Sequence, residues 1–416
     1  MRVLVLVLVL AAAALPALAD DDAAALLLAD KTEASAEQAA DWRVYTEAAV
    51  REARPRGAGP ALHGARLSLD ARMDTTFAPG WRAVFADRID LNRADGVSGN
   101  NDVNTLKEAY VSWQAQADRI ADFGRINVRG GVALGYNPTD YFRAGALRSV
   151  VSLDPASLRE NRLGSGMLRG QALWEGGSLT ALYSPKLADQ PNSAAFSPDF
   201  GATNQRVRWL MAFSHKLGDA LNPQWLLSGG AGQSAQLGLN VTALPNDATV
   251  AYFEWSGGRA PSLAAQALLR PEDSAFRSRL ASGLTYTTSA NLSLTAEYEY
   301  NGAAPGRADW DALRRGSPAA YGLYRGLAAR LQDPATRHNL FLYAFWQDAL
   351  VKHLDLTAMI RNDLVDHSRL QWLEARYHWT RVDVALQTQL NSGAPASNFG
   401  ALTDRRVWQA VARYFF

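Results

Sequence analysis

The feature that most constrains this chain is a two-residue alternation of apolar and polar side chains, repeated in many short segments. Residues 292–301 alternate Leu, Ala and Tyr with Ser, Thr and Glu, and residues 66–74, 373–379 and 382–390 follow the same pattern. Successive side chains of a β-strand point to opposite faces, so each segment predicts a strand with one apolar and one polar face. The chain is therefore predicted to be all-β.

The last nine residues predict a closing strand that ends in an aromatic residue. Tyr414 and Phe416 lie on its apolar face, whereas the other face mixes Gln409 and Arg413 with apolar residues. This ending resembles the C-terminal signal of bacterial outer-membrane barrels, which implies that Phe416 and Tyr414 form an assembly signal for the barrel-assembly machinery. The alternative is the last strand of a soluble sheet. The complete apolar face is Trp408, Ala410, Ala412, Tyr414 and Phe416.

The N-terminus favours the membrane alternative. Arg2 precedes an apolar run over residues 3–15, and Ala17-Leu18-Ala19 forms a small-residue cleavage site before three aspartates. This order predicts a secretory signal peptide. We therefore predict a signal peptide over residues 1–19, a periplasmic tail over 20–41 and an outer-membrane barrel over 42–416.

The connections between predicted strands alternate in length, as in transmembrane barrels with short periplasmic turns and long outside loops. Short turns are predicted at residues 75–80, 175–177, 246–247, 288–291 and 378–381, and long loops at 92–104, 131–166, 187–204, 259–274, 302–336 and 392–405. The alternation requires a further strand at residues 42–51, for which a short helix is the competing interpretation. With roughly 9 to 11 residues per strand, we predict a transmembrane antiparallel up-and-down β-barrel of about 18 strands, with 16 as the alternative.

Composition argues against several other functions. The chain has 42 Lys and Arg against 41 Asp and Glu, so bulk charge gives no reason to expect a nucleic-acid partner. It has no Cys and only six His, without a His pair at zinc-ligand spacing, so we expect no metal and no cofactor. The cluster Asp366-His367-Ser368 is more simply a solvated turn than a hydrolase site, and we expect no enzyme. An ordinary polar loop likewise explains Asp95, Asn100, Asn101 and Asp102 better than a calcium site does.

The most specific chemistry lies in the first third of the chain. Residues 123–131 read Phe-Gly-Arg-Ile-Asn-Val-Arg-Gly-Gly and lead into Tyr-Asn-Pro-Thr-Asp-Tyr-Phe at 136–142, where turn formers predict a structured loop. Over about residues 105–190 the chain resembles the proteobacterial outer-membrane barrels related to the alginate-export porins. This resemblance implies a barrel of about 18 strands and a channel function.

Charged residues of both signs face the predicted lumen in similar numbers. They form either self-neutralising pairs that stiffen the wall or a path for polar solutes and ions. The loop at 131–166 is the candidate constriction if it folds inward, and an exposed loop if it does not. Its arginines outnumber its acids by one, which predicts mild anion selectivity. The constriction candidates are Arg143, Arg148, Arg159, Arg162, Asp140, Asp154 and Glu160; the wall candidates are Arg66, Asp70, Arg72, Glu108, Glu297, Glu299, Glu374 and Arg376.

From these observations we expect a channel that passively conducts or exports small polar solutes or a polysaccharide, with outer-membrane lipid as its surroundings. The rival interpretation is a barrel with a blocked lumen that serves envelope assembly or surface adhesion.

Overall fold

The barrel architecture is that of a closed, antiparallel, up-and-down sheet. The computed structural model describes residues 41–96, 101–218, 220–269 and 273–416, and within these ranges it contains eighteen strands. Each strand pairs with its neighbours in sequence, and β1 pairs with both β2 and β18, which closes the sheet. The prediction of 18 strands rather than 16 is confirmed. The predicted signal peptide, and the predicted tail up to residue 40, lie outside the described residues.

The strands are β1 (Trp42–Pro55), β2 (Leu62–Ala78), β3 (Trp81–Ala94), β4 (Val103–Gln116), β5 (Arg119–Ile126), β6 (Ser165–Trp174), β7 (Gly177–Ser184), β8 (Arg208–His215), β9 (Leu221–Gly230), β10 (Gln233–Asn246), β11 (Thr249–Ala260), β12 (Ala275–Thr287), β13 (Leu292–Asn301), β14 (His338–Trp346), β15 (Leu354–Asp363), β16 (Arg369–His378), β17 (Val382–Ser392) and β18 (Asp404–Phe415). The helices are α1 (Pro155–Glu160), α2 (Phe200–Thr203), α3 (Leu263–Ala267), α4 (Arg307–Arg315) and α5 (Pro318–Leu331). No helix in the described ranges has both the length and the apolar character needed to cross a membrane.

The period-two pattern corresponds to the two faces of the barrel wall. Ala296 on β13 and Leu386 on β17 are exposed on the outside, whereas their neighbours Thr295 and Gln387 are buried inside. Residues 42–51 form strand β1 and not the competing helix, because they hydrogen-bond on both edges to β2 and β18. The exterior is therefore apolar over most strands, and the interior is polar.

The connections separate the barrel into two ends. At the turn end, where β1 begins and β18 finishes, most connections are short, including the predicted turns near residues 80, 176, 247, 290 and 380. At the loop end lie the long connections at 95–102, 127–164, 185–207, 261–274, 302–337 and 393–403, which match the predicted long loops. Strict alternation was wrong at four places: the loop-end connections at 56–61, 231–232 and 364–368 are short, and the turn-end connection at 347–353 is longer.

The wall has a step between β4 and β5. Strand β5 pairs with β4 only from Ala109 onwards, so residues 103–108 of β4 have no strand partner on that side. The connection at 185–207 covers this edge, and the backbone N–H of Asn104 donates to the carbonyl of Ala195. The guanidinium of Arg148 donates to the carbonyls of both Asn104 and Ser197, which joins the covering connection to β4.

An ion cluster lies inside the seam where β1 meets β18. The carboxylate of Glu47 on β1, which is about 1% exposed, accepts hydrogen bonds from three arginines on neighbouring strands. Arg66 on β2 lies 2.6 Å away, Arg88 on β3 2.8 Å and Arg413 on β18 2.6 Å. One carboxylate therefore connects the first three strands to the last one.

Candidate pore constriction

Residues 127–164 leave the wall and cross the inside of the barrel; we call them the inward segment. They begin where β5 ends at Ile126 and return to the wall at Ser165. Along the way they contact inward-facing side chains of β1, β11, β13, β14 and β18. These strands lie all around the barrel, so the segment spans the lumen rather than lying outside it.

A carboxylate of the wall holds the first turn of the inward segment. Glu254 on β11 is fully buried and accepts hydrogen bonds from the backbone N–H groups of Val132, Ala133 and Thr139, at 2.8, 3.1 and 2.7 Å. The Thr139 hydroxyl donates a fourth at 2.8 Å. Hydrogen bonds to an ionised acceptor are stronger than neutral ones, so this contact fixes the backbone of the turn.

A second wall carboxylate holds the next three residues. Glu297 on β13 accepts from the backbone N–H groups of Leu134, Gly135 and Tyr136, at 2.9, 3.0 and 2.8 Å, and from the hydroxyl of Tyr252 on β11. Glu297 was predicted to line the lumen wall. It faces inward as expected, but its oxygens bind the inward segment.

Two glycines explain how the backbone approaches these carboxylates so closely, and one of them, Gly131, belongs to the adjacent pair of the predicted motif. Gly131 has φ +90°, a conformation that L side chains rarely adopt, and a Cβ there would lie 2.6 Å from an oxygen of Glu254. A Cβ at Gly135 would lie 2.6 Å from the ring of Phe341 on β14. Glycine is therefore required at both positions for the segment to fit against the wall.

Three of the predicted constriction residues are used in ion pairs within the loops. Arg162 donates to Asp140 at 2.8 Å, and both side chains are buried. Arg143 pairs with Asp333, which belongs to the connection between β13 and β14. Although burial by itself lowers the pKa of Arg143, the neighbouring Asp333 raises it above its ordinary value, so the guanidinium stays charged.

Two further candidates also serve the packing of the segment. Asp154 caps helix α1 by accepting from the N–H of Ser157 at 3.0 Å, and it accepts from the hydroxyl of Tyr343 at 2.9 Å. Burial raises the pKa of this carboxyl. Arg148 points away from α1 towards the step at β4.

The remaining charges gather around the end of α1 and form the candidate constriction. Glu160 accepts from Arg43 of β1 at 2.8 Å and lies 4.0 Å from Lys107 of β4. Burial by itself raises the pKa of Glu160, but Lys107, Arg43 and Arg129 lower it to about 2. Arg159 donates to the carbonyl of Gly130 at 3.2 Å, and burial lowers its pKa.

Sequence reasoning did not select Arg43, Lys107 or Arg129 for this site. Arg43 and Lys107 come from strands that are far from α1 in sequence, so spacing alone gave no signal. Arg129 is exposed beside α1 and was noted only as part of the segment at residues 123–131. The inward phase of β1, which places Arg43 with Tyr45 and Glu47, was the one clue available for Arg43.

The predicted wall residues face inward and have partners. Arg72 donates to Glu108 at 2.6 Å, and Lys107 binds Asp70 at 2.7 Å. Arg376 donates to Glu374 at 3.0 Å, and Arg361 lies 3.8 Å from Glu299. Arg66 binds Glu47, and Glu297 binds the inward segment. Every wall candidate therefore has an oppositely charged or hydrogen-bonding partner; the eight are Arg66, Asp70, Arg72, Glu108, Glu297, Glu299, Glu374 and Arg376.

The connection at 302–337 packs on the inward segment from the loop end. Gly145 N–H donates to the carbonyl of Arg330 at 2.9 Å, and Gln332 donates to the carbonyl of Arg143 at 2.6 Å. Helices α4 and α5 lie over it around the buried Trp310 and Tyr324. The inward segment is therefore held from the wall and from above.

The three residues of the weak hydrolase motif have structural partners. Ser368 is buried, and its hydroxyl donates to Asp366 at 2.6 Å, whereas His367 meets Arg307. Asp366 also accepts from the indole of Trp310. Within the described ranges, no group of three or more His, Asp or Glu side chains is arranged to hold a metal ion.

Fold and site together define the class of closed 18-stranded barrels with an inward-folded connection. No protein-family model matches the chain, and no curated protein is detectably similar to it in sequence.

Solved structures of similar shape include Acinetobacter baumannii OccAB1, with a TM-score of 0.57, 10% identity, and coverage of 90% of this chain and 96% of that one. Pseudomonas aeruginosa OpdQ has a TM-score of 0.55 at 10% identity, covering 91% and 99%. Pseudomonas aeruginosa OccK5 (OpdH) has a TM-score of 0.53 at 10% identity, covering 90% and 98%. At this identity, the likeness establishes the shared fold.

Proposed function

We propose that this protein is a bacterial outer-membrane channel through which small polar solutes pass passively. The observation that carries the proposal is the inward segment, which crosses a closed barrel and is fixed to the wall by Glu254 and Glu297. The apolar outside and polar inside of the wall support a membrane location, because a soluble barrel would present the opposite arrangement. The similar shape of the OccAB1, OpdQ and OccK5 structures agrees with this proposal.

The charges near α1 support a mild preference for anions. Lys107, Arg43 and Arg129 act on a single carboxylate, Glu160. Arg159 precedes Glu160 in α1, and charge near the narrowest part of a pore has the largest effect on selectivity. The count of five arginines against three acids in the inward segment leads to the same sign. The charge is located differently from the prediction, because Arg143, Arg148 and Arg162 bind partners away from α1.

Conductance in a planar bilayer tests the proposal. Deleting residues 146–161 removes α1 with Arg159 and Glu160 but retains residues 132–139, which Glu254 and Glu297 bind. We expect a higher single-channel conductance and a reversal potential closer to zero in a salt gradient. An unchanged conductance in a folded deletion variant would show that the segment is not the constriction.

A point variant separates selectivity from pore size. Arg129→Gln removes an exposed charge beside α1, and we expect it to reduce anion preference with little change in conductance. The matched control is Arg93→Gln, because Arg93 faces the outside of β3. Equal effects of the two variants would contradict the assignment of selectivity to α1.

Kinship with the alginate-export barrels and passage of a polysaccharide remain finer predictions. Block of the ionic current by an added polysaccharide would support them, and absence of block would limit the cargo to small solutes. A folded native barrel that carries no current would instead favour the blocked lumen with an assembly or adhesion role.

A further inference from the structure

Three arginines face outward at the loop end, on three of four adjacent strands. They are Arg54 on β1, Arg369 on β16 and Arg406 on β18, and we call them the arginine patch. Arg54 shares its strand face with the exposed Val50, and Arg406 shares its face with the exposed Trp408. Arg369 likewise lies on the face of the exposed Leu373, whereas the alternate residues of β16 are buried inside.

The arrangement of the patch is electrostatically unfavourable without an anion. Arg54 and Arg406 lie directly opposite each other across the seam, and like charges in that position repel. Glu52 pairs with Arg54 at 3.1 Å. Among the described residues, Arg369 and Arg406 form no ion pair, and the buried Nε of Arg406 has no hydrogen-bond partner. Within the part of the chain that the structure describes, Glu52 is therefore the one acidic partner of the patch, which keeps an excess of positive charge.

An apolar surface lies directly below these charges. Leu390 on β17 is the register partner of Arg406, and it is 40% exposed. Leu373 and Trp408, exposed by 51% and 39%, flank it on the neighbouring strands. A ligand for this surface must carry an anionic head and apolar chains, which is the chemistry of an acidic lipid.

The spacing of the patch suits a headgroup with more than one phosphate. Arg54 and Arg406 are cross-strand neighbours, with Cα atoms about 5 Å apart. Arg369 lies two strands from Arg406, which corresponds to about 10 Å across the sheet, and two residues further along, which adds about 7 Å in the strand direction. Guanidinium groups bind phosphate oxygens in a bidentate manner, so the three side chains can contact two phosphates of one lipid.

We propose that the arginine patch binds the phosphorylated disaccharide headgroup of lipopolysaccharide in the outer leaflet, with the acyl chains on Leu373, Leu390 and Trp408. This rests on the proposed outer-membrane location, with the loop end on the outside. Basic clusters at the edge of an apolar belt bind anionic headgroups by the same physics in other membranes. Elsewhere at the loop end, the outward face of β13 carries Tyr298 and Tyr300 instead of arginine.

The test measures binding of fluorescent lipopolysaccharide to the detergent-purified full chain. The variant is R54Q/R369Q/R406Q, and the matched control is Arg259→Gln, because Arg259 faces outward at the same end on β11. We expect the affinity of the triple variant to fall on the order of 100-fold, since each arginine contributes to binding an anionic surface. The control should bind like the native protein.

Two further probes identify the ligand chemistry. Lipopolysaccharide stripped of its phosphates should bind the native chain as weakly as the intact form binds the triple variant. Vesicles of phosphatidylglycerol, which carry one phosphate per lipid, should compete poorly. Equal affinity of native chain and triple variant, loss of discrimination against the dephosphorylated form, or equal competition by phosphatidylglycerol would each overturn the proposal.

The outcome is separable from that of the channel proposal. The patch lies outside the lumen, so the triple variant should keep native single-channel conductance in bilayers that contain no lipopolysaccharide. A native chain that binds lipopolysaccharide but carries no current would overturn the channel proposal alone. A conducting chain that fails the binding test would overturn the lipid site alone.

Discussion

Replacing Glu47 by Gln should test how the barrel seam is held. The substitution keeps the shape of the side chain but removes the charge that Arg66, Arg88 and Arg413 share at 2.6 to 2.8 Å. Removing one partner of a buried ion pair costs about 3 to 5 kcal/mol, because the remaining charge stays buried. The cost should not be three times larger, since Arg88 retains Asp90 at 2.8 Å. We therefore expect the free energy of unfolding to fall by about 3 to 5 kcal/mol.

The assay is urea unfolding of the folded barrel in phospholipid vesicles, followed by tryptophan fluorescence. Glu52→Gln is the matched control, because Glu52 lies on the same strand but faces outward in an exposed pair with Arg54. Exposed pairs contribute only about 0 to 1 kcal/mol. A loss of unfolding free energy for Glu47→Gln that is no larger than the loss for Glu52→Gln would refute the reasoning. Adding Arg413→Gln to Glu47→Gln removes one of the unpaired buried charges and should reduce the loss, so an unchanged loss in the double variant would also refute it.

Three further predictions concern assembly, the wall and pH. Phe416→Asp should reduce the abundance of folded barrel in the outer-membrane fraction, measured by heat-modifiable migration, because the exposed Phe416 belongs to the predicted assembly signal; native abundance would argue against that signal. Ala296→Arg should destabilise the barrel in lipid vesicles by about 2 to 4 kcal/mol, and Thr295→Arg on the inner face by less; equal losses would contradict the assignment of faces. When the pH is lowered from 5 to 2, the free energy of unfolding should fall further for the native barrel than for the Glu160→Gln variant. The reason is that the pKa of Glu160, lowered to about 2, gives stability that is present above its unfolded value and is lost as the pH falls; parallel pH profiles would exclude that contribution.

The strand pattern was predictable because each strand carries its own period-two signature. The inner and outer faces of β13 and β17 follow directly from the alternation. Strand β1 was required because the alternating connections need an upward strand before β2. The short loop-end connection at 231–232 escaped prediction, because a tight hairpin at the loop end departs from the general length rule.

The site was only partly predictable, because its geometry depends on contacts between distant residues. Glu254 meets the inward segment across more than 110 positions of sequence, and Glu297 across more than 160. The wall candidates were chosen by phase, and phase does not show which charges pair. Arg143 illustrates this limit, since its partner Asp333 lies in another loop, which the alternation pattern does not describe.

The anchoring of the inward segment through its backbone has a consequence for how such a pore can diversify. Glu254 and Glu297 bind the main-chain N–H groups of residues 132–136 and 139, which every residue except proline provides. Apart from the glycines, most amino acids of this stretch can therefore vary while the backbone hydrogen bonds are kept, whereas the hydroxyl bond of Thr139 depends on its side chain. Point substitutions can therefore change the chemical character of the inward segment during evolution, while its location in the barrel stays the same.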